Sequence, residues 1–167
     1  PGSLPSSTVS SSYVLLDPEV LSFDSNLPLL ICTTFGRAIG GNCGGGLYTP
    51  GHLMAFEAGG DGRTRFTDPP QLAETAGFRK RGSSTCSRPK FSFNVEIRDE
   101  HGEDKDAELL NFSAESDYVM YGPYNFDRTL MRNPIAYWMS REVGRWAART
   151  EFVECFYHPG DGPVTLS

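Results

Sequence analysis

The side chains most able to do chemistry lie together in one stretch, Arg81–Phe93, which combines a glycine, small hydroxyl groups and a lysine. Gly82 allows a bend that a residue with a Cβ would resist. The hydroxyl groups of Ser83 and Ser84 can donate hydrogen bonds to an anionic oxygen, and Lys90 supplies a positive charge. These residues in this order indicate a phosphate-binding bend. The alternative is a surface strand with a solvated lysine, and the residues by themselves leave both interpretations open.

An alternating pattern follows the bend and predicts a β-strand. Apolar and polar residues alternate from Lys90 to Ile97, which is the period of a strand with one buried face. The apolar residues predicted to be buried are Phe91, Phe93, Val95 and Ile97. Ser92 and Asn94 are predicted to be more exposed or to face a cleft, with Lys90 on the same polar face.

One segment has the pattern of an α-helix and extends from about Asn133 to Val143. Asn133 is predicted to be the N-cap and Pro134 the first helical residue, because these residue types are favoured at those positions. Large apolar residues recur with helical spacing at Ile135, Trp138, Met139 and Val143. This spacing predicts one apolar face, with Trp138 in the core rather than against a ligand.

The rest of the chain has the composition of a β-rich protein, with 18 glycines and 12 prolines among 167 residues. The apolar run Leu27–Phe35 predicts a strand that is buried on both faces. Leu53–Ala58 and Arg63–Thr67 flank a turn at Gly59–Gly62 and predict a β-hairpin. The predicted fold class is therefore α+β, with mostly antiparallel β-strands and one principal α-helix.

Composition also predicts how the chain is organised. Residues 1–25 are predicted to be a flexible N-terminal segment, and Asp17–Asn26 is predicted to be a polar connector. Residues 26–167 are predicted to form one β-rich lobe. The stretch 99–117 contains eight acids and one lysine, which indicates a solvated loop between strands.

Charge and hydropathy exclude some classes of function. The net charge of −6 argues against general nucleic-acid binding, which usually needs a basic surface. No apolar run approaches the roughly 20 residues of a membrane-spanning helix. We therefore expect neither a nucleic-acid partner nor a membrane span.

The four cysteines, at 32, 43, 86 and 155, lack the CxxC spacing of a zinc site, so no metal ligand is predicted. In an exported protein they could form two disulfides, and the sequence leaves three connectivities open. Cys32 and Cys155 lie in apolar, strand-like runs. For these two residues the alternative to a disulfide is a buried free thiol.

Three segments follow one another in an order found in one protein family. They are RGSST…RPKFSF within Arg81–Phe93, then Tyr121–Pro134, then Arg149–Glu154. They resemble the RGNSS…FPKKSY signature, the YGPY-x-D-K-T-L-M-R-N segment and the following strand of the spore-coat protein H (CotH) kinase-like family. The resemblance covers about half of the chain, from Phe78 to Tyr157.

The resemblance implies a fold, a ligand and a set of binding residues. The fold would be an incomplete kinase-like N-lobe, and the intact family protein is an atypical kinase that uses ATP and Mg²⁺. Lys90 would be the phosphate-contacting lysine, with Glu142 on the helix as its possible ion-pair partner. Arg81, Ser83 and Ser84 would shape the adjacent loop.

Two positions depart from the family signature. Arg88 replaces the aromatic residue before the proline, and Phe91 replaces the basic residue after the lysine. The family's acidic metal-binding motif is expected beyond residue 167. We therefore expect residues 26–167 to be a CotH-like N-terminal lobe, truncated at its C-terminus. The chain itself is expected to be inactive, with no catalytic residue assigned.

The resemblance also implies a location and a partner. The location would be extracellular or on the cell surface, such as a spore coat, and a protein there is a possible substrate. ATP and Mg²⁺ belong to the intact family protein, and no cofactor is assigned to this chain. The alternative function is a non-catalytic β-rich surface module with a binding or structural role. Magnesium-dependent ATP binding would distinguish the two.

Overall fold

The structure is a computed structural model that describes residues 12–40, 43, 45–124 and 127–166. Its helices and strands, in chain order, are α1 (Pro18–Leu21), β1 (Asp24–Ser25), β2 (Leu29–Thr33), β3 (Thr49–Phe56), β4 (Thr64–Arg65), β5 (Leu72–Arg81), β6 (Ser92–Arg98), β7 (Asp117–Met120), α2 (Arg132–Glu142) and β8 (Glu154–His158).

A six-stranded sheet forms the centre of the protein, with the strand order β7-β6-β5-β3-β2-β8. Neighbouring strands are antiparallel except β2 and β8, which are parallel. β1 and β4 form a separate two-stranded antiparallel sheet. The predicted fold class, α+β with mostly antiparallel strands and one principal helix, is confirmed.

Two hydrophobic clusters pack on opposite faces of the central sheet. Leu30 and Cys32 of β2 belong to the larger cluster, whereas Leu29 and Ile31 belong to the smaller one. Successive residues of a strand point to opposite faces, so β2 lies between the two clusters. All five of its residues are buried, which confirms the strand predicted within Leu27–Phe35.

β6 confirms the predicted strand but begins later than the alternating pattern does. Phe93, Val95 and Ile97 are buried, whereas Phe91 precedes the strand and is half-buried. Ser92 was predicted to be more exposed or to face a cleft, and its side chain is buried against Gly122 instead. Its Oγ accepts a hydrogen bond from the Gly122 amide at 3.0 Å, so a backbone donor satisfies the polar group inside the fold.

The predicted hairpin around Gly59–Gly62 is wrong. The turn itself forms, because the Gly59 amide donates to the Arg63 carbonyl at 2.8 Å. However, β4 leaves β3 and pairs with β1, and β5 pairs with β3 instead. Phe66 explains this path, since its ring packs edge-on against Phe56 and Phe156 in the smaller cluster.

The predicted polar connector, Asp17–Asn26, contains α1 and β1 instead. The Asp17 side chain caps α1 by accepting a hydrogen bond from the Glu19 amide at 3.0 Å. Val20 is fully buried in the smaller cluster, so from Asp17 onward the segment predicted to be flexible is packed on the core. Residues 1–11 lie outside the described residues, and the boundary between residues 25 and 26 stays a prediction.

The predicted helix is confirmed within one residue at each end, but two details were wrong. Asn133 is not the N-cap, because Met131 occupies that position and no side chain of the cap residue bonds to the helix. The apolar face does not reach the core: Trp138 is 56% exposed, and no helix residue is buried. Helical spacing predicts one apolar face, but it does not identify the surface that this face contacts.

Asp127 takes the stabilising role that the sequence assigned to Asn133. Its buried carboxylate accepts hydrogen bonds from the Thr129 hydroxyl at 2.8 Å and from the Arg132 amide at 3.2 Å.

Asp127→Ala is expected to lower the free energy of unfolding by about 1–3 kcal/mol. Asn133→Ala, the matched control, is expected to change it by less than about 0.5 kcal/mol. Urea denaturation of both variants measures the two losses of stability. A larger loss in Asn133→Ala than in Asp127→Ala would show that Asn133 is the cap.

The acidic stretch 99–117 is largely a solvated loop, as predicted. Its first turn is stabilised by Asp99, whose carboxylate accepts hydrogen bonds from the His101 and Glu103 amides at 2.8 and 2.9 Å. Leu109 and Leu110 attach the loop to the larger cluster. Within the described part of the chain, no helix has the length and apolarity that crossing a membrane requires.

Candidate functional site

The candidate site is the connection between β5 and β6, residues 82–91, which we call the signature loop. The last strand pair before it is Arg81 with Ser92, so the loop begins and ends at neighbouring backbone positions. Gly82 has a φ of 97°, and a Cβ there would lie 2.4 Å from the Thr85 Oγ1. Both facts require glycine at this position.

A disulfide connects the signature loop to a glycine-rich segment, Gly40–Gly46. Cys86, buried within the loop, is bonded to Cys43. Residues 41, 42 and 44 of the glycine-rich segment lie outside the described residues. Of the connectivities that the sequence leaves open, the structure contains this bond, while Cys32 and Cys155 are free thiols.

The structure brings the predicted binding residues together at the surface. Arg81 ends β5, and Ser83, Ser84 and Lys90 lie in the signature loop, all four with exposed side chains. Lys90 is in a bend two residues before β6, and so it is not on the polar face of the strand as predicted. Within the described part of the chain, neither Arg81 nor Lys90 forms an ion pair with a carboxylate.

The first two segments singled out in the sequence contact each other beside Lys90, and β8, which begins at the end of the third segment, contacts the neighbouring Phe91. A Cβ at Gly122, in the second segment, would lie 3.3 Å from the Lys90 Cγ and 2.7 Å from the Phe91 carbonyl oxygen. The ring of Tyr157, on the strand that follows the third segment, packs edge-on against Phe91 with centroids 5.8 Å apart. Segments distant in sequence therefore meet at one end of the signature loop.

The predicted site residues omitted Lys80, a further cation beside the signature loop. The Lys80 Nζ lies 4.5 Å from the centroid of the Phe91 ring, a cation–π arrangement. The signal in the sequence is the run of three basic residues at 79–81: successive residues of a strand face opposite sides, so the run places a cation on each face of β5. Arg79 points to the other side, where its guanidinium lies 4.4 Å from the centroid of the Tyr48 ring.

An acidic pair lies on the face of β6 opposite to that of Phe93. Glu96 is paired across the strands with Asp117, and its carboxylate forms an ion pair with Arg98 at 2.6 Å. Burial first, and then the negative charge of Glu96, raises the pKa of Asp117 above its usual value. Over the residues that the structure describes, no three His, Cys, Asp or Glu side chains are grouped so that they could hold a metal ion.

Glu142, the predicted ion-pair partner of Lys90, is exposed near the end of α2. The two side chains do not form an ion pair in the described structure. The roles of Glu142 and of the four loop and strand residues in binding stay predictions.

Comparison with known proteins identifies one family. Residues 78–158 match the family model described as CotH kinase protein. The matched range contains the end of β5 from Phe78 onward, the signature loop, β6, β7, α2 and β8, and so it includes Lys90, Gly122 and Tyr157. No curated protein and no solved structure matches the chain.

Proposed function

We propose that the signature loop binds the phosphate groups of ATP for phosphoryl transfer by the intact protein, in keeping with the match of residues 78–158 to the CotH kinase family. The observation on which this proposal depends is that Gly122 and Tyr157, from two other parts of the matched range, lie against the end of the signature loop at Lys90 and Phe91. Lys90 and Arg81 would supply positive charge, and the hydroxyl groups of Ser83 and Ser84 would donate hydrogen bonds.

The donors present fit a phosphate chain. Each of these four side chains has a group that can donate to an anionic oxygen, and each is exposed on or beside one short loop. Two of them are cations without a carboxylate partner among the described residues. A bound phosphate would therefore not have to displace an existing ion pair. The bound nucleotide would supply the transferable phosphoryl group.

The residues described do not assemble a protein-only site for Mg²⁺, and we assign no residue to that ion. Several carboxylates near the sheet already have partners. Glu74 pairs with Lys105 at 2.7 Å, Glu96 pairs with Arg98 at 2.6 Å, and Asp127 stabilises the start of α2. Phosphoryl transfer needs carboxylates that position the metal and the acceptor. We therefore propose that this chain by itself binds nucleotide but does not transfer phosphate.

Lys90→Ala is expected to weaken ATP binding by about tenfold or more, because a charge-assisted hydrogen bond contributes roughly 1.5–3 kcal/mol. Titration with a fluorescent ATP analogue, with and without Mg²⁺, measures the dissociation constant. Lys105→Ala is the matched control, since it removes the same charge at the other end of β6, beside Glu74. The affinity of the Lys105→Ala chain for ATP is expected to stay within about twofold of that of the unchanged chain. Equal affinities for the Lys90→Ala chain and the unchanged chain would refute the proposed role of Lys90.

The proposed lack of transfer has its own assay. The 167-residue chain is incubated with radiolabelled ATP, Mg²⁺ and a mixture of acceptor proteins, and labelled products are separated. We expect no labelled product above the background of the Lys90→Ala variant. Transfer that requires Lys90 would contradict inactivity and would mean that a working set of carboxylates is present in this chain.

The second candidate function is a non-catalytic surface module, with a binding or structural role. The Cys43–Cys86 disulfide favours an oxidising location for either candidate, because such bonds persist outside the cytosol. We propose an extracellular or cell-surface location, of which a spore coat is the example in the family's name, with a protein there as substrate or partner. Absence of nucleotide binding in the titration above would favour the module.

A further inference from the structure

Two cysteines that the structure leaves free lie close together on neighbouring strands. The Sγ atoms of Cys32, on β2, and Cys155, on β8, are 3.8 Å apart. We propose that these residues form a second disulfide, which fastens the edge strand β8 to the interior of the sheet. With Cys43–Cys86, this bond would pair all four cysteines of the chain. The proposal does not depend on ATP binding.

The strand register places the two side chains on the same face. Cys155 is opposite Leu30 and Cys32 is opposite Tyr157, so the two cysteines are offset by two residues along parallel strands. Residues two apart in a strand point to the same side. A disulfide needs sulfur atoms about 2.05 Å apart, so the two must approach by roughly 1.8 Å. β8 is an edge strand of the described sheet, so its backbone can shift toward β2 without breaking a strand pairing on its other side.

The different exposure of the two thiols predicts the order of reaction. Cys155 is exposed, whereas Cys32 is fully buried. The hydrogen bond with Cys155, and then burial, raises the pKa of Cys32 well above its usual value, so Cys32 stays protonated. Cys155 is therefore the thiol that reacts first with an external oxidant.

Glutathione disulfide is a sufficient oxidant. The Cys155 thiolate attacks one glutathione sulfur, forms a mixed disulfide and releases the first glutathione. Cys32 then loses its proton, and its sulfur attacks the Cys155 sulfur. The protein disulfide forms, the mixed disulfide breaks, and the second glutathione leaves as a thiolate that takes up a proton. The two cysteines lose two electrons and two protons, and the oxidant gains both.

The bond would also restrain the surroundings of the signature loop. Tyr157 is two residues beyond Cys155 on β8, and its hydroxyl accepts a hydrogen bond from the Ile39 amide at 2.8 Å. Its ring also packs against Phe91, the last residue of the signature loop. Fixing β8 at Cys155 therefore limits the movement of Tyr157, which contacts both Phe91 and Ile39.

Thiol trapping tests the proposal on the full chain. The protein is equilibrated in oxidised and reduced glutathione, quenched with acid, unfolded in denaturant so that buried thiols can react, alkylated, analysed by mass spectrometry and mapped as peptides. We expect no alkylated cysteine, a mass lower than that of the reduced chain by four hydrogen atoms, and a peptide that joins Cys32 to Cys155. Cys155→Ser is expected to leave Cys32 as the one alkylated thiol and to keep Cys43–Cys86. Glu154→Ser, at the preceding exposed position, is the control and is expected to form both bonds.

Thermal unfolding provides a second measurement. Oxidised wild-type protein is expected to unfold roughly 5–15 °C above oxidised Cys155→Ser, because the bond joins residues 123 positions apart. Two results would overturn the proposal. One is alkylation of both Cys32 and Cys155 while Cys43–Cys86 stays closed. The other is a lasting glutathione adduct on Cys155, which would show that Cys32 cannot reach it.

Discussion

Phe93→Ala is expected to lower the free energy of unfolding by about 3–5 kcal/mol. Phe93 is 6% exposed and belongs to the larger cluster. Its ring centroid lies 6.1 Å from that of Phe78, 6.0 Å from that of Phe91 and 6.3 Å from that of Tyr157. These neighbours come from β5, the signature loop and β8, so the cavity would open where the matched segments meet. Urea denaturation followed by circular dichroism measures the loss.

Phe152→Ala is the matched control for this truncation. It removes the same atoms from a side chain that is 42% exposed, and the expected loss is below about 1 kcal/mol. Similar losses in the two variants would contradict the core position of Phe93. The control also separates the effect of the cavity from the general effect of removing a phenyl ring.

The helices and strands that were predicted correctly are those whose residue pattern lies within the element itself. β2 has five consecutive buried residues between two clusters, and its apolar run in the sequence is continuous. β6 alternates between buried and half-buried residues from Phe93 onward, as the sequence does. α2 was located within one residue at each end. In each case the pattern of residues over one or two turns, or along one strand, was sufficient.

The details that were wrong depend on contacts between distant residues. β4 pairs with β1 rather than β3 because Phe66 packs into the smaller cluster, and no local pattern contains that contact. Ser92 is buried because Gly122 supplies a backbone donor. Asp127, rather than Asn133, stabilises the start of α2 because the chain before the helix folds back onto it. Residue preferences predict the local conformation of a segment. These outcomes depend instead on contacts with residues that are distant in the sequence.

The sequence identified the candidate residues of the site, but it did not predict which other residues lie against them. The motif comparison selected Lys90, Arg81, Ser83 and Ser84, and the structure places them on or beside one loop. Spacing alone gave no reason to expect Gly122 against Lys90, since the two belong to different segments. The Cys43–Cys86 bond was likewise one of several pairings that the cysteine positions allow.

Gly51→Ala is expected to lower the free energy of unfolding by about 3 kcal/mol or more, because the added methyl group has no space. A Cβ at Gly51 would lie 2.2 Å from the Thr33 carbonyl oxygen and 2.7 Å from the Phe78 Cε2. The first contact is with the backbone of β2, which is buried on both faces, and the second is with a fully buried ring. A glycine inside a strand often marks such a close approach, and Gly51 lies within β3.

Gly60→Ala is the control for Gly51→Ala. A Cβ at Gly60 would have no heavy atom within 4 Å, and its φ is not positive, so the same methyl group is expected to change stability by less than about 0.5 kcal/mol. Adding Phe78→Leu to Gly51→Ala tests the cause, because a smaller side chain relieves the contact with the ring and leaves the contact with the Thr33 carbonyl. The double variant is therefore expected to stay less stable than Phe78→Leu alone. Full stability of Gly51→Ala in urea would contradict the close approach of β2 and β3 on which the centre of the sheet depends.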